Sequence, residues 1–287
     1  MTTFINVGLN GLLIGLIYGL MALGLSVVFG VVRVVNFAHG EMMVLAVYGA
    51  TILNAAFRLD PILAAPVIAA GMFLLGYGLQ RGLINRLLHQ AEHVQFIVLA
   101  SVALILMNLQ LMVFGPDAKA AVVSYSLETF EFGTIIIDKV RVYAAVIALI
   151  VAFALFTFFK RTLLGKTIRA CSDNLLGARV VGLDYKHLYA ISFGIGAACV
   201  GVSGALMSLM FNVTPHLAPE LTLLSFVIVI IGGLGSMGGS LTAGIFIGVV
   251  QAYAGYFTTP SLKALFSFLL LIFVLIFRPQ GLFKKAF

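Results

Sequence analysis

The chain contains no tryptophan, only two cysteines and few charges: 9% of its 287 residues are Asp, Glu, Lys or Arg, and 62% are hydrophobic. Soluble domains carry about 25% charged residues, so this composition excludes an ordinary soluble globule and a disordered chain. Two cysteines, Cys171 and Cys199, are too few for a disulfide framework, and we expect two reduced thiols. Such a composition is typical of a protein whose solvent is mostly lipid.

Long apolar runs fill most of the chain. A helix needs about 20 apolar residues to cross a bilayer, and most of the runs reach that length. The sequence therefore predicts an all-α polytopic membrane helix bundle, a single transmembrane domain over residues 1–287 with eight or nine spans. The runs lie at 7–32, 42–57, 62–80, 94–114, 142–159, 188–211, 221–233, 240–257 and 262–277.

Lysine and arginine are distributed unequally between the two sides of this map. If the basic loop at 160–187 is cytoplasmic, alternating spans place twelve basic residues inside and five outside, as the positive-inside rule requires. The N-terminus is then outside and the C-terminus cytoplasmic. Because the net charge of +7 follows this pattern, it indicates a bilayer and not nucleic acid as the partner. The twelve are Arg33, Arg81, Arg86, Lys160, Arg161, Lys166, Arg169, Arg179, Lys186, Arg278, Lys284 and Lys285, and the five are Arg58, Lys119, Lys139, Arg141 and Lys263.

Small residues recur every four positions on several predicted helices, including Gly11, Gly15 and Gly19 on the first and Gly244, Gly248 and Ala252 on the eighth. Helices in lipid associate through small residues that let their backbones approach closely. We therefore expect these stripes to be packing seams of a compact bundle.

The segment from Gly233 to Gly238, with Gly235 between them, matches the G-x-G-x-x-G dinucleotide fingerprint letter for letter. That fingerprint needs a preceding strand and an acidic residue about 20 positions later, and both are missing here. We interpret the segment as a non-helical break between two helices, which is tolerated where it lines a cavity or is buried in protein.

The densest polar interruption contains Asn36, His39, Gly40 and Glu41. Ionisable residues at membrane depth are costly and usually face the bundle interior or water. Three interpretations stay open: an inner-side loop at the interface, part of a gate or translocation path, and a proton relay through His39 and Glu41. No second cluster of His or carboxylate residues completes a metal or catalytic site, so we expect neither. Similar glycine-bracketed helix starts at 40–50 and 239–249 suggest a weak internal repeat.

Two loops are large enough to meet a partner. The outer loop, 115–141, contains an alternating stretch from Ser124 to Ile137 that favours a small hairpin; it is either a solvated connector or a landing surface. In the basic loop, Ser172 or Asp173 is suited to cap a short helix over 174–181, which Gly182 would end in the left-handed conformation. That helix presents Leu175, Leu176, Ala178, Val180 and Val181, and either lies on lipid headgroups or inserts into a cytoplasmic motor subunit.

The stretch from Gly24 to Glu41, GLSVVFGVVRVVNFAHGE, resembles the signature of LivH-type permeases, the membrane subunits of ABC importers for branched-chain amino acids and related solutes. Residues 165–170 (GKTIRA), Asp173–Asn174, Gly182 and residues 231–239 (IGGLGSMGG) resemble the same family in the same order. The match covers about residues 5–285. The signature is shared by permeases for urea, amides and aromatic acids, so it does not fix the solute.

The resemblance implies a subunit of the bacterial inner membrane that pairs with a homologous second permease, two cytoplasmic ATPase subunits and a periplasmic substrate-binding protein. It implies an ATPase-coupling helix formed by Asp173 and its neighbours in the loop 160–187. Our own hypothesis is that solute passes the breaks near Asn36–Glu41 and Gly232–Gly239. The chain has no Walker A motif, because position 160 is lysine, so ATP and magnesium would bind only to the partner ATPases. The alternative is a self-sufficient proton-coupled transporter or channel using His39 and Glu41. The predicted coupling residues are Arg169, Asp173, Asn174, Leu175, Leu176, Ala178 and Gly182.

Overall fold

The computed structural model describes residues 2–133, 135–259 and 262–283. Within them lie twelve α-helices and one two-stranded antiparallel sheet, β1 with β2. A π-helical turn, Gln80–Ile84, joins α3 to α4, and a 3-10 turn, Pro215–Leu217, precedes α10. The elements are α1 (Thr2–Val32), α2 (His39–Phe57), α3 (Pro61–Leu79), α4 (Asn85–Leu87), α5 (Glu92–Phe114), β1 (Thr129–Phe132), β2 (Ile135–Asp138), α6 (Lys139–Arg161), α7 (Leu163–Asp173), α8 (Leu175–Val180), α9 (Tyr185–Met207), α10 (Ala218–Gly232), α11 (Met237–Phe257) and α12 (Lys263–Phe277).

Eight helical segments are long and apolar enough to cross a membrane, and α12 is a shorter apolar helix of 15 residues. The predicted polytopic helix bundle is therefore confirmed, with the spans close to the predicted runs. The helices α1 and α9 form the centre of the bundle, since most of their residues are buried. By contrast, only 17% of the residues in the apolar window of α5 and 28% of those in the window of α6 are buried, as expected of helices that face lipid or another subunit.

The glycine stripe of α1 packs against the small residues of α11, as predicted. A Cβ added to Gly15 would lie 2.7 Å from the Cα of Ile245, and one added to Gly11 would lie 2.9 Å from the carbonyl oxygen of Gly248. Backbones this close leave no room for larger side chains. The small residues of α1 and α11 therefore hold the N-terminal helix against the C-terminal part of the bundle.

Segments predicted to share one side of the membrane contact one another. On the side predicted to be cytoplasmic, Asn85 donates to the carbonyl oxygen of Lys186 at 3.2 Å, and the N–H of Leu282 donates to the carbonyl of Ile231 at 2.8 Å. The predicted cations Lys284 and Lys285, like Met1, lie outside the described residues. These contacts agree with the predicted alternation of spans.

The outer loop, 115–141, forms the predicted hairpin over β1 and β2, and a backbone bridge joins Lys119 to Val213. The phenol of Tyr125 donates to the Asp60 carboxylate at 2.6 Å, and the N–H of Val122 donates to Asn54 at 3.1 Å. Hydrogen bonds thus fix the loop to the ends of α2 and α3.

Candidate functional site

A break in the helical backbone separates α1 from α2. Arg33 follows the last residue of α1 with φ of 59°, a left-handed conformation that is unfavourable for a side-chain-bearing residue. Residues 33–38 carry no helix, and α2 begins at His39. The break predicted from the polar signature is therefore present, and Arg33 is held in a strained conformation at its start.

The predicted polar residues of this break are buried in protein and not placed in an exposed interface loop. The Asn36 side chain accepts a hydrogen bond from the N–H of Ala38 at 3.1 Å, which caps the turn into α2. His39 is 1% exposed, and its Nε2 lies 3.0 Å from the carbonyl oxygen of Met21. Because a carbonyl only accepts, this contact requires a hydrogen on Nε2. Asn36, His39 and Glu41 are therefore packed inside the protein, and the choice among the three interpretations of this segment stays a prediction.

A threonine on α10 contacts the first turn of α2. The Thr222 hydroxyl accepts from the N–H of Gly40 at 2.8 Å and lies 3.4 Å from both the Glu41 carboxylate and the carbonyl oxygen of Phe37. Gly40 is required there, because a Cβ would lie 2.5 Å from the threonine oxygen. Sequence reasoning missed Thr222, whose only signal is a hydroxyl that the apolar run 221–233 also offers at Ser225.

The second predicted break lies between α10 and α11. Gly233 and Gly235 have φ of 97° and 79°, and the Ser236 hydroxyl caps α11 by accepting from the N–H of Gly239 at 3.1 Å. Left-handed backbone at two positions explains why glycine occurs there. Gly238, however, lies inside α11, so its predicted place in the break is wrong. The capping serine starts the helix earlier than the glycine spacing suggested.

Both breaks border one cavity of about 920 Å³. Phe37, from the first break, packs between Phe96 of α5 and Phe226 of α10, with ring centroids 4.5 and 5.2 Å apart. Of the predicted path residues none lines the cavity directly; their neighbours Arg33, Phe37 and Leu234 do. Sequence reasoning missed the contribution of α5. The lining residues are Leu25, Phe29, Gly30, Arg33, Val34, Val35, Phe37, Glu92, His93, Gln95, Phe96, Phe226, Val229, Ile230 and Leu234.

The basic loop, 160–187, folds into an elbow of two short helices, α7 and α8. Asn174 is the cap of α8, since its side chain accepts from the N–H of Gly177 at 2.9 Å. The predicted cap at Ser172 or Asp173, and the predicted helix start at 174, are therefore wrong. The Ser172 hydroxyl instead donates to Gly30. Both Ser172 and Asp173 belong to the last turn of α7.

Gly182 ends the elbow as predicted. Its φ is 81°, its N–H donates to the carbonyl of Arg179 at 3.1 Å, and the N–H of Leu183 donates to that of Ala178 at 3.0 Å. These two bonds form a Schellman motif. The motif closes the short helix α8 and directs the chain into α9.

The elbow exposes most of its predicted apolar surface. Leu176, Val180 and Val181 are 73, 87 and 74% exposed, and Leu175 is 37% exposed. Ala178, in contrast, is buried and packs towards the bundle, so it does not contribute to this surface. Asp173 and Asn174 are exposed beside it, and Arg169 is half-buried. We call Leu175, Leu176, Val180 and Val181 the elbow surface.

Two hydrogen bonds connect the elbow to the cavity. The Ser172 hydroxyl donates to the carbonyl of Gly30 at 2.6 Å, and the guanidinium of Arg33 donates to the carbonyl of Ser172 at 3.3 Å. Gly30 and Arg33 both line the cavity. The neighbouring Cys171 is a buried free thiol, as expected, and burial raises its pKa. The elbow is therefore hydrogen-bonded to the first break and to residues that line the cavity.

Comparison with known proteins matches residues 8–275 to the family described as the permease component of branched-chain amino acid transport systems. The chain belongs to this family. Its relatives include the high-affinity branched-chain amino acid permease protein BraD of Pseudomonas aeruginosa, which is 29% identical over 96% of this chain and 94% of BraD. The LivH protein of Escherichia coli K12 is 25% identical over 98% of this chain and 96% of LivH.

A second type of permease protein is similar as well. LivM of Escherichia coli K12 is 25% identical over 93% of this chain and 68% of LivM. Family membership and the eight apolar helices make the chain a multi-pass membrane protein with a permease role. Among the described residues no group of three His, Cys, Asp or Glu residues is arranged to hold a metal ion.

Proposed function

We propose that this chain is the LivH-like permease subunit of an ATP-driven importer for branched-chain amino acids in a bacterial inner membrane. It pairs with a homologous, LivM-like permease and with two cytoplasmic ATPases, and receives solute from a periplasmic binding protein that docks on the outer loop. ATP and magnesium bind to the ATPases alone. The N-terminus is outside and the C-terminus is cytoplasmic.

The connection between the elbow surface and the cavity carries this proposal. Leu176, Val180 and Val181 expose apolar side chains on short helices held by a basic loop, a surface suited to insertion into another protein. Since Ser172 and Arg33 join that elbow to the first break, a movement of the elbow displaces residues that line the cavity. An ATPase that contacts the elbow differently in its two nucleotide states would therefore bias the cavity between two shapes.

The lining of the cavity supports the substrate class. Leu25, Phe29 and Val229 offer apolar contacts to a branched side chain, while Arg33 and Glu92 supply opposite charges, as an amino acid zwitterion requires. The aromatic cluster of Phe37, Phe96 and Phe226 is suited to act as a gate. Specificity among related solutes would rest mainly with the binding protein.

The proton-coupled alternative finds no support in family membership. Its two proposed relay residues also have separate partners: His39 contacts the carbonyl of Met21, and the Glu41 carboxylate lies near Thr222. We do not retain it.

The test is co-purification of the chain with its cognate ATPases, followed by ATP-dependent uptake of leucine in proteoliposomes. Leu176→Asp with Val180→Asp should abolish both, because it places charges where apolar contacts are needed. Leu127→Asp, on the outer loop and 96% exposed, is the matched control for ATPase co-purification. Uptake that persists without ATPases and collapses with a proton uncoupler would overturn the proposal.

A further inference from the structure

A second cavity, of about 490 Å³, lies apart from the proposed path, at the π-helical end of α3 and the beginning of α9. It shares no lining residue with the larger cavity. The lining is unusually basic for a chain with so few charges. It consists of Arg81, Asn85, Arg86, His89, Asp184, Lys186 and His187.

The cations of this basic cavity are not neutralised within the described part of the chain. The salt bridges found there join other residues, Lys139 to Glu128 and Arg141 to Asp138. Asp184, the one acidic lining residue, uses its carboxylate to cap α9, accepting from the N–H groups of Lys186 and His187 at 3.1 and 3.2 Å. Arg81, Arg86 and Lys186 therefore leave a net positive charge in the cavity.

Hydrogen bonds hold Arg81 and His187 in place beside the cavity. Arg81 donates one of its N–H groups to the Tyr77 hydroxyl at 2.6 Å, and that hydroxyl lies 3.1 Å from Nδ1 of His187. Asn85 accepts from the buried Gln80 at 3.0 Å while its own amide reaches the carbonyl of Lys186. The π turn and α9 are thereby tied together around the cavity. π turns of this kind often occur at functional sites.

An exposed apolar face of α3 leads towards the basic cavity. Leu63, Val67 and Leu74 are 67, 60 and 68% exposed along this helix. Gly71 and Gly78 have no neighbouring atom within 4 Å of a built Cβ, so the space beside the helix backbone is open at both positions. A ligand with an anionic head and apolar chains would pair its charge with the basic cavity and pack its chains on the apolar face of α3.

We propose that this basic cavity binds the phosphate of an anionic phospholipid, with the acyl chains lying along α3. Arginine forks match phosphate oxygens, and basic pockets at the cytoplasmic ends of spans are suited to anionic headgroups. The positive-inside pattern places the cavity at the cytoplasmic leaflet. The bound lipid would fix the π turn against α9, close to the end of the elbow.

Lipid binding by the purified, delipidated full chain tests the proposal. Native mass spectrometry counts dioleoyl-phosphatidylglycerol molecules retained per chain, with dioleoyl-phosphatidylcholine as the zwitterionic comparison. The variant is Arg86→Gln with Lys186→Gln, whose side chains form no described hydrogen bond. The matched control is Lys160→Gln with Lys166→Gln, two exposed cations of the basic loop that do not line the cavity.

We expect one tightly held phosphatidylglycerol in the parent chain and the control, and at least about tenfold weaker retention in the cavity variant. Retention of phosphatidylcholine should be unaffected. Equal losses in both variants would mean diffuse surface charge and overturn the proposal, as would displacement of the lipid by equimolar inorganic phosphate. Loss of ATPase co-purification with unchanged lipid retention would assign the cavity to a protein contact and also overturn it.

Discussion

Ser172 and Gly30 are joined by a hydrogen bond of 2.6 Å from the serine hydroxyl to the glycine carbonyl, although 142 positions separate them in the sequence. In a second hydrogen bond, the guanidinium of Arg33 donates to the carbonyl of Ser172. Because the two bonds run in opposite directions, they fix the end of α7 to the end of α1 in both position and angle. These two bonds connect the elbow directly to residues that line the cavity.

Ser172→Ala should uncouple ATP hydrolysis from transport. The buried hydroxyl is lost and the Gly30 carbonyl loses its partner, a change of about 1–3 kcal/mol. We expect the complex to assemble and hydrolyse ATP while leucine transported per ATP falls severalfold in proteoliposomes. Thr167→Ala, on an exposed hydroxyl of the same helix, is the control. Unchanged coupling in Ser172→Ala would show that the elbow acts through other contacts.

The elbow illustrates what the sequence predicts well and what it does not. The terminating Gly182 and the exposed leucine and valines follow from local rules, since a left-handed glycine and an apolar helix face are visible in the chain itself. The identity of the capping residue does not follow from local rules. Ser172 is as good a cap as Asn174 by residue type, but its hydroxyl is used by Gly30, a partner that only the tertiary fold brings near.

The cavity shows the same limit on a larger scale. The two breaks are marked by glycines and polar residues, so both were predictable. The α5 residues Glu92 and Phe96 were not, because one charged and one aromatic residue at the start of an apolar run also suit a simple interfacial end. Thr222 was hidden for a similar reason: its partners Gly40 and Glu41 lie about 180 positions away.

Thr222→Val should destabilise the contact between α2 and α10. The valine keeps the shape but removes the acceptor of the buried Gly40 N–H, which costs about 1–3 kcal/mol. A lower unfolding temperature in detergent is the expected result. Thr242→Val removes a partly exposed hydroxyl that bonds only within α11, and should change stability far less. Equal effects of the two substitutions would argue against a special role for Thr222.

Gly15→Leu should prevent close packing of α1 on α11. The new side chain would meet the backbone of Ile245 and Gly244, and relief requires the helices to separate. We expect little monodisperse protein in size-exclusion chromatography. Gly71→Leu is the matched control, because nothing lies within 4 Å of its built Cβ. If both variants elute alike, the stripe on α1 is not a packing seam.

Tyr125 should make the anchoring of the outer loop sensitive to high pH. Burial, followed by the hydrogen bond to Asp60 and the charge of Asp60, raises the pKa of Tyr125 above its usual value near 10. The folded state keeps the phenol proton at a pH where the unfolded chain has released it. The protonated phenol of Tyr125 therefore contributes its full stabilisation of the folded state below pH about 10. It declines as the pH rises further.

The stability difference between the parent chain and Tyr125→Phe should therefore be largest near pH about 8 and shrink by pH about 11, measured as unfolding midpoints in detergent. Tyr256→Phe, which removes an exposed phenol, serves as the control. The Asp60 carboxylate accepts a hydrogen bond from the Tyr125 phenol, with 2.6 Å between the two oxygens, so a deprotonated Tyr125 would place two negative oxygens at that separation. A difference that stays constant across this range would mean that the phenol contributes through packing alone.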